Sequence, residues 1–242
     1  GHRTTLTQIF SSRLGYDTGL IKIVQGDSLR TPPGTTGGAR MSAVLGSTLM
    51  QAAGLIANAA LPFAAEHLRA EISDIQFAEG IFTAAGTNQS VTIEELVRLI
   101  ATDDPAQHPL NCQHEYTTDG ATYPYGCHIV EMEVDQQTYR PEIVTYTVVD
   151  DFGEIINPLT LEGQIHGGIA QGIGQALYEH VAYDEDGQLL AGSLMDYALP
   201  RADHMPLFSI SRRGTRCQNN LLGVKGAGEA GAIGAPPAVI SA

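Results

Sequence analysis

The chain has 242 residues, which is long enough to bury a sizeable core in one large domain or two smaller ones. Acidic residues outnumber Lys and Arg by 27 to 13, for a net charge of −14, and no basic cluster of the kind that nucleic-acid binding requires is present. The 3 cysteines are widely spaced, which argues against a disulfide framework and against a zinc site. These features predict a cytoplasmic protein that does not bind nucleic acid.

No membrane span or leader segment is predicted. The longest mostly apolar stretch, residues 43–65, is interrupted by Ser47, Gln51, Asn58 and Pro62. It therefore lacks the ~20 uninterrupted apolar residues of a membrane-spanning helix. The N-terminus also lacks the charged-then-apolar pattern of a signal peptide.

The first part of the chain predicts two helices separated by a strand and a loop. Residues 5–14 place apolar side chains on one helical face, and residues 20–24 have the composition of a strand. Residues 26–40 are rich in Gly, Pro and Thr, which predicts a loop. A long helix is expected from about Met41, with a kink at Pro62.

The second part predicts strands and helices without a regular βαβ alternation. Thr92 and Glu95 form a capping box that opens a helix. Residues 128–134 and 142–149 alternate as strands do, and residues 182–190 suggest a hairpin. This mixture of helices and antiparallel strands predicts an α+β fold. No linker marks a clear domain boundary, so one region over residues 1–242 is expected, with a possible subdivision near residues 105–125.

Glycine is concentrated in residues 34–40, 163–174 and 223–234, and each segment is expected to enter a helix. Backbone N–H groups at the start of a helix can bind an anion without a basic side chain. A lone acid, Glu229, lies among the glycines of the third segment, where it can act as a base on a molecule packed against the backbone. The alternative interpretation is that these segments are tight turns, or, for residues 163–174, a helix packed closely against another backbone.

Residues 226–231 match the dinucleotide motif G-x-G-x-x-G, but the context of that motif is missing. A Rossmann fold also needs a preceding strand, a following helix and an acid about 20 residues further on. No acid follows Gly231, and Pro236 and Pro237 predict that no helix starts on the third glycine. Lys225 lacks the glycine spacing and the following Ser or Thr of a P-loop.

The side chains alone do not predict a metal site or a nucleophile. The 8 histidines include no H-E-x-x-H pair, and no G-x-S-x-G signature is present. Any metal is therefore expected to arrive on a cofactor.

Several motifs closely resemble those of the molybdenum hydroxylases, the xanthine dehydrogenase and aldehyde oxidase family. The segments that carry the resemblance are residues 25–28, 36–42, 156–158, 162–177, 196–201 and 224–239. They occur in the family's order and extend over nearly the whole chain. The variant is most similar to the large subunits of the bacterial carbon monoxide dehydrogenase type.

The resemblance implies the C-terminal molybdopterin-binding region of such an enzyme. Glu229 falls on the family's catalytic glutamate, the general base for hydroxylation of a C–H carbon with water as the oxygen source. The substrate would be an aldehyde, a purine, an N-heterocycle or carbon monoxide. The implied cofactor-binding residues are Gly37, Gly38, Ala39, Arg40, Ser42, Gln164, Lys225, Gly226, Ala227 and Gly228. In this family the pterin dithiolene holds the molybdenum, so no protein metal ligand is expected.

The resemblance also implies partners. The cofactor is expected in its cytosine dinucleotide form, with 2Fe-2S clusters and FAD on partner subunits of a heteromultimer. Family large subunits extend several hundred residues further on the N-terminal side, so this chain is expected to be a fragment, a split subunit or an engineered domain, and to be inactive alone. Two alternatives stay open: an isolated domain that binds no cofactor, and a nucleotide-binding module that uses the glycine-rich loops.

Overall fold

The computed structural model describes residues 2–31, 34, 36–100, 102–118 and 120–242. Pro32, Pro33 and Thr35 of the predicted loop lie outside the described residues. The chain divides into two compact units. Unit 1 consists of Gly1–Thr36, Met41–Gly120 and Asn219–Leu222, and unit 2 consists of Gly37–Arg40, Ala121–Gln218 and Gly223–Ala242.

Two helices at the start of the chain pack together in unit 1. Helix α1 spans His2–Leu14 and buries Leu6, Ile9 and Leu14, which confirms the predicted apolar face. Helix α2 spans Met41–Leu68 and contains Pro62, so the predicted long helix is confirmed.

Helix α2 supplies much of the core of unit 1. Ala53, Ala57, Ala60 and Ala64 recur at helical spacing along one side and are buried against the neighbouring elements. This helix also has the length and apolar composition that could cross a membrane, a property shared by core helices of soluble proteins.

A small antiparallel sheet completes unit 1 and was not predicted. Its strands β1 (Ile75–Ala78), β2 (Ile81–Ala84) and β3 (Ser90–Thr92) are paired in that order. Helix α3 (Ile93–Leu99) follows at once, and both hydrogen bonds of the predicted capping box are present. Strands of three or four residues are too short for the alternation of apolar residues to reveal them.

The strand predicted over residues 20–24 is wrong. Thr18–Leu20 forms a 3-10 turn, and the residues that follow have no regular secondary structure. A strand exists only when a neighbouring strand pairs with it, and among the described residues none pairs with this segment.

Unit 2 is built on a second three-stranded sheet. Strand β4 (Tyr125–Val134) pairs antiparallel with β5 (Pro141–Asp151), which confirms both predicted strands. Strand β6 (Phe208–Arg212) pairs parallel with β5, a difference from the all-antiparallel expectation. The α+β class is confirmed.

Shorter elements complete both units. The predicted hairpin over residues 182–190 is reduced to one bridge, between Tyr183 and Leu189. The remaining 3-10 turns are Ile72–Asp74 and Pro105–Gln107 in unit 1 and Ala202–His204 in unit 2.

Two helices cover one face of the sheet in unit 2. Helix α4 spans Pro158–Leu177 and begins after Asn157, whose side chain accepts a hydrogen bond from the N–H of Thr160. Helix α5 spans Ala230–Ser241. The core between these helices and the sheet consists of Tyr146, Val148, Phe152, Ile165, Ile169, Ile173, Ala235 and Val239.

The expectation that no helix starts on the third glycine is wrong. Helix α5 begins at Ala230 and continues through Pro236 and Pro237. Each proline removes one backbone hydrogen bond from a helix. Packing compensates for this loss here, because Gly172 of α4 leaves room for Ala235 and for the ring of Pro236.

Candidate functional site

The loop before α5 is held at the end of strand β5. Val224 forms an isolated bridge with Gly153, and the N–H of Lys225 donates to the carbonyl of Phe152 over 2.8 Å. The carbonyl of Gly223 accepts hydrogen bonds from the N–H groups of Glu154 and Cys217, both at 3.0 Å. Gly223 has a φ of 73°, a left-handed conformation that glycine adopts without strain. The backbone of this loop is therefore fixed before it reaches Glu229.

The side chain of Lys225 is buried inside unit 2. Its ammonium lies 2.7 Å from the carboxylate of Asp151 and 4.6 Å from the ring centroid of Tyr125. Burial alone would raise the pKa of Asp151, but the Lys225 ammonium and the N–H groups of Thr215 and Gly153 lower it to about 2. Asp151 is therefore charged at neutral pH, and the ammonium of Lys225 is directed toward it. Lys225 as a cofactor-binding residue stays a prediction.

Two of the glycine-rich segments meet in unit 2. A β-carbon built on Gly226 would lie 2.6 Å from the carbonyl oxygen of Ala39 and 2.7 Å from its β-carbon. Gly38 and Ala39 form a turn with left-handed φ angles of 61° and 49°. Only glycine at position 226 lets the turn and the loop approach this closely.

The third segment contributes Gln164 to the same place. Its side chain is exposed on α4, and its Oε1 would lie 3.5 Å from a β-carbon built on Gly228. That β-carbon would also lie 3.8 Å from the β-carbon of Ala39. The structure therefore brings together Ala39, Gln164 and Gly228, which are distant in sequence.

Glu229 lies at the start of α5, next to this convergence. It occupies the N-cap position, its residue is exposed, and its side chain makes no capping hydrogen bond. Its carbonyl accepts the helical hydrogen bond from the N–H of Ile233 at 3.0 Å. The carboxylate is thus presented at a helix start, while its backbone is part of regular structure.

A close contact between α4 and α5 sets the position of this helix start. A β-carbon on Gly168 would lie 3.0 Å from the Cα of Gly231, and one on Gly231 would lie 2.6 Å from the N of Ile169. The glycines of residues 163–174 therefore lie within α4, and Gly168 and Gly172 serve close packing against α5, one of the two interpretations left open by the sequence. The segment was expected to lead into a helix, but it lies inside one.

The other predicted residues are placed as follows. Gly37, Gly38 and Arg40 are exposed in unit 2, and among the described residues no atom lies within 4 Å of a β-carbon built on either glycine. Ala227 is partly buried in the loop, against the core of unit 2. Ser42 lies in the first turn of α2 and belongs to unit 1.

The sequence reasoning missed Asp151 and Tyr125, which hold Lys225. The available signal was the acidic pair at the end of β5, because neighbouring residues of a strand point to opposite faces of the sheet. Asp150 is buried beneath the helices, while Asp151 reaches Lys225.

The site can provide two kinds of chemistry. The first N–H groups of a helix have no intrahelical acceptor, so the start of α5 can receive an anionic group. The exposed carboxylate of Glu229 can accept a proton from a bound molecule. The described residues contain no group of three or more His, Cys, Asp or Glu side chains that could hold a metal ion directly.

Comparison with known proteins identifies the class. The sequence profile of the molybdopterin cofactor-binding domain matches residues 1–206. The chain is 35% identical over 248 residues to the 6-hydroxypseudooxynicotine dehydrogenase complex subunit gamma of Paenarthrobacter nicotinovorans, covering 100% of this chain and 31% of the relative. The chain therefore belongs to the molybdopterin-binding domains of the molybdenum hydroxylase family, which confirms the resemblance seen in its motifs.

Solved structures agree over nearly the whole chain. Reconstituted CO dehydrogenase from Oligotropha carboxidovorans matches with a TM-score of 0.86 and 29% identity, covering 98% of this chain and 30% of that one. Quinoline 2-oxidoreductase from Pseudomonas putida 86 matches with a TM-score of 0.82 and 31% identity, covering 100% of this chain and 32% of that one. Both matches confirm the predicted fold. The chain spans about a third of the length of these relatives.

Proposed function

We propose that this chain is the part of a molybdenum hydroxylase large chain that binds the molybdopterin cofactor and supplies the general base, Glu229. The observation that carries the proposal is the convergence of Ala39, Gln164 and Gly228 beside the exposed carboxylate of Glu229. Membership of the molybdopterin-binding family supports the same location.

The residues at the site suit a flat, anionic cofactor. Gly37 and Gly38 carry no side chain and face open space, so a ligand can approach the backbone there. Gln164 offers an amide that can donate and accept hydrogen bonds. Arg40, Lys225, Gly226, Ala227 and Gly228 complete the proposed binding set in unit 2, and Ser42 stays a prediction from the sequence. Within this set, Lys225 acts through its pair with Asp151, which holds the loop in place.

The cofactor would supply two-electron redox chemistry for the hydroxylation of a C–H carbon. Glu229 would remove the proton that must leave the attacking oxygen of water, and its exposure lets it face a bound molecule. The helix start behind it would stabilise negative charge on the cofactor.

The proposal extends to substrate and partners. The substrate would be an aldehyde, a purine, an N-heterocycle or carbon monoxide, classes that include the substrate in the name of the quinoline-oxidising relative. The cofactor would carry a cytosine dinucleotide, and 2Fe-2S and FAD subunits would receive the electrons. The relative that is a subunit gamma of a dehydrogenase complex supports such an assembly. A cytoplasmic location belongs to the same proposal.

Substitution of the base tests the proposal. In the complete enzyme, Glu229→Gln keeps the shape of the side chain but removes its basicity, so turnover should fall by about 10²–10⁴-fold. Molybdenum and pterin content should stay unchanged, since no cofactor contact is lost. Glu185→Gln, in the exposed turn of residues 184–187, makes the same change of charge and is the control. Turnover near that of the control would contradict the role of Glu229.

A further inference from the structure

A buried polar cluster lies beneath α5, and the proposed chemistry does not use it. The side chains of His128 and Asp150 are 7% and 2% exposed, and Tyr146 is fully buried. His128 Nδ1 lies 2.7 Å from the hydroxyl of Tyr146, and His128 Nε2 lies 3.6 Å from Asp150 Oδ1. Both ring nitrogens therefore face fixed polar partners on β5, and the ring cannot rotate without losing them.

The His128 imidazole has two buried polar neighbours, Asp150 and Tyr146. The Oδ2 of Asp150 is buried and has no hydrogen-bond partner among the described residues. Burying a carboxylate without a polar neighbour costs free energy, and the His128 ring is the polar neighbour of Asp150, 3.6 Å from its Oδ1. Burial, followed by the charge of Asp150, raises the pKa of Tyr146, so its hydroxyl keeps its proton at neutral pH.

The imidazole also touches the backbone of α5 directly. A β-carbon built on Gly234 would lie 2.5 Å from His128 Nε2, 2.6 Å from Cδ2 and 2.7 Å from Cε1. The His128 ring therefore occupies the space that a side chain at position 234 would need. One turn earlier, α5 contacts α4 through Gly231 and Gly168. The ring of His128 therefore lies between the sheet and α5 at Gly234, without space for a side chain there.

We infer that His128 is a positioning residue, which fixes the placement of Glu229 by holding α5 at Gly234. The inference rests on the proposed function, because it gives the position of Glu229 a catalytic consequence. Glu229 is the N-cap of the helix whose underside rests on the ring. Any shift of α5 would move its carboxylate relative to Gln164 and Gly228.

A double-mutant cycle in the complete enzyme tests the inference. Gly234→Ala forces its new methyl group against the ring, so α5 should rise, and amide hydrogen exchange over residues 230–241 should quicken by about tenfold. The kcat should fall while KM and molybdenum content stay unchanged. In the double variant Gly234→Ala/His128→Ala the methyl group has room, so the changes in exchange and kcat should be smaller than the sum of the two single changes.

Two further variants keep the test decisive. Gly167→Ala is the matched control, since a β-carbon there meets no described atom within 4 Å, and it should leave exchange in α5 unchanged. Tyr146→Phe is the substitute test if Gly234→Ala fails to fold. It removes only the hydroxyl that holds His128 Nδ1, and amide hydrogen exchange over residues 230–241 should quicken by about threefold. Additive effects in the cycle, or unchanged exchange in Tyr146→Phe, would overturn the inference.

The outcomes separate the inference from the proposed function. Coupled exchange with an unchanged kcat would show that His128 holds the helix but does not position Glu229, and would overturn the inference. An active Glu229→Gln enzyme would refute the proposed function, whereas the exchange cycle, which does not depend on turnover, would still report on the contact.

Discussion

Lys225 shows how one residue in a glycine-rich loop can be structural. It lies between glycines, and its ammonium is paired with Asp151 and lies over the ring of Tyr125. Its role in cofactor binding stays a prediction. Burying two charges is favourable only when they are well paired and hydrogen-bonded, and the N–H groups of Thr215 and Gly153 complete the partners of Asp151. The pair therefore fixes the loop that leads to Glu229.

Asp151 gives a pH-dependent prediction at the scale of one residue. Its pKa in the folded protein is about 2, below the value of an unfolded aspartate, so its contribution to stability is present above about pH 4 and is lost as the pH falls toward 2. Asp151→Asn should lower the free energy of unfolding by about 2 kcal/mol at pH 7, and by about half as much at pH 3. Urea unfolding at both pH values measures this difference.

The matched control is Asp186→Asn, in the exposed turn of residues 184–187, which should change little at either pH. A destabilisation by Asp151→Asn that is equally large at pH 7 and pH 3 would show that lost packing, and not the charge of Asp151, is responsible.

At the scale of secondary structure, the contact of α4 with α5 explains two of the glycines in α4. Glycine inside a helix costs about 1 kcal/mol relative to alanine. Gly168 and Gly172 are buried where α5 comes close, whereas Gly167 is exposed on the same helix. The cost is thus offset by packing at the first two positions.

Alanine substitutions in α4 should therefore have opposite effects. Gly167→Ala should raise the free energy of unfolding by about 0.5–1 kcal/mol, because it improves helix propensity in open space. Gly172→Ala should lower it by about 1–3 kcal/mol, because its methyl group would lie 2.7 Å from the β-carbon of Ala235 and 2.8 Å from the Cδ of Pro236. Urea unfolding compares the two variants, and equal signs would refute this account of the helix contact.

At the scale of the whole molecule, the chain consists of two compact units and spans 31% of the length of a relative from a dehydrogenase complex. Within unit 2 the proposed site is open, because Gly37, Gly38, Gln164 and Glu229 are all exposed. Sites that hold small molecules and cofactors bury most of the ligand surface. Further polypeptide is therefore expected to complete the enclosure of the cofactor.

Molybdenum and pterin content tests this expectation. The purified chain alone should contain little of either. Production together with the rest of a large chain and with iron–sulfur and flavin subunits should give stoichiometric molybdenum. Stoichiometric molybdenum in the chain alone would show that these 242 residues enclose the cofactor by themselves. No molybdenum under either condition would contradict the proposed function.

Structural features that depend on residues close together in the sequence could be predicted. The capping box of Thr92 and Glu95, the end of α1 before Gly15 and the alternation in β4 and β5 each depend on neighbours within a few residues. The glycine-rich loop with its lone acid was also visible, and the family motifs supplied the fold and the candidate base.

Other features depend on residues that are distant in sequence. Residues 20–24 have the composition of a strand but lack a partner strand, and α5 continues through Pro236 and Pro237 because α4 offers Gly172 at the point of contact. Lys225 and Asp151 are 74 positions apart. Local propensity and periodicity act over a few residues, so the sequence by itself determined α1, α2, α3, β4, β5 and the candidate base. The pairing of Lys225 with Asp151 and the space around Gly172 depend on which distant parts of the chain meet. Only the tertiary structure therefore decided them.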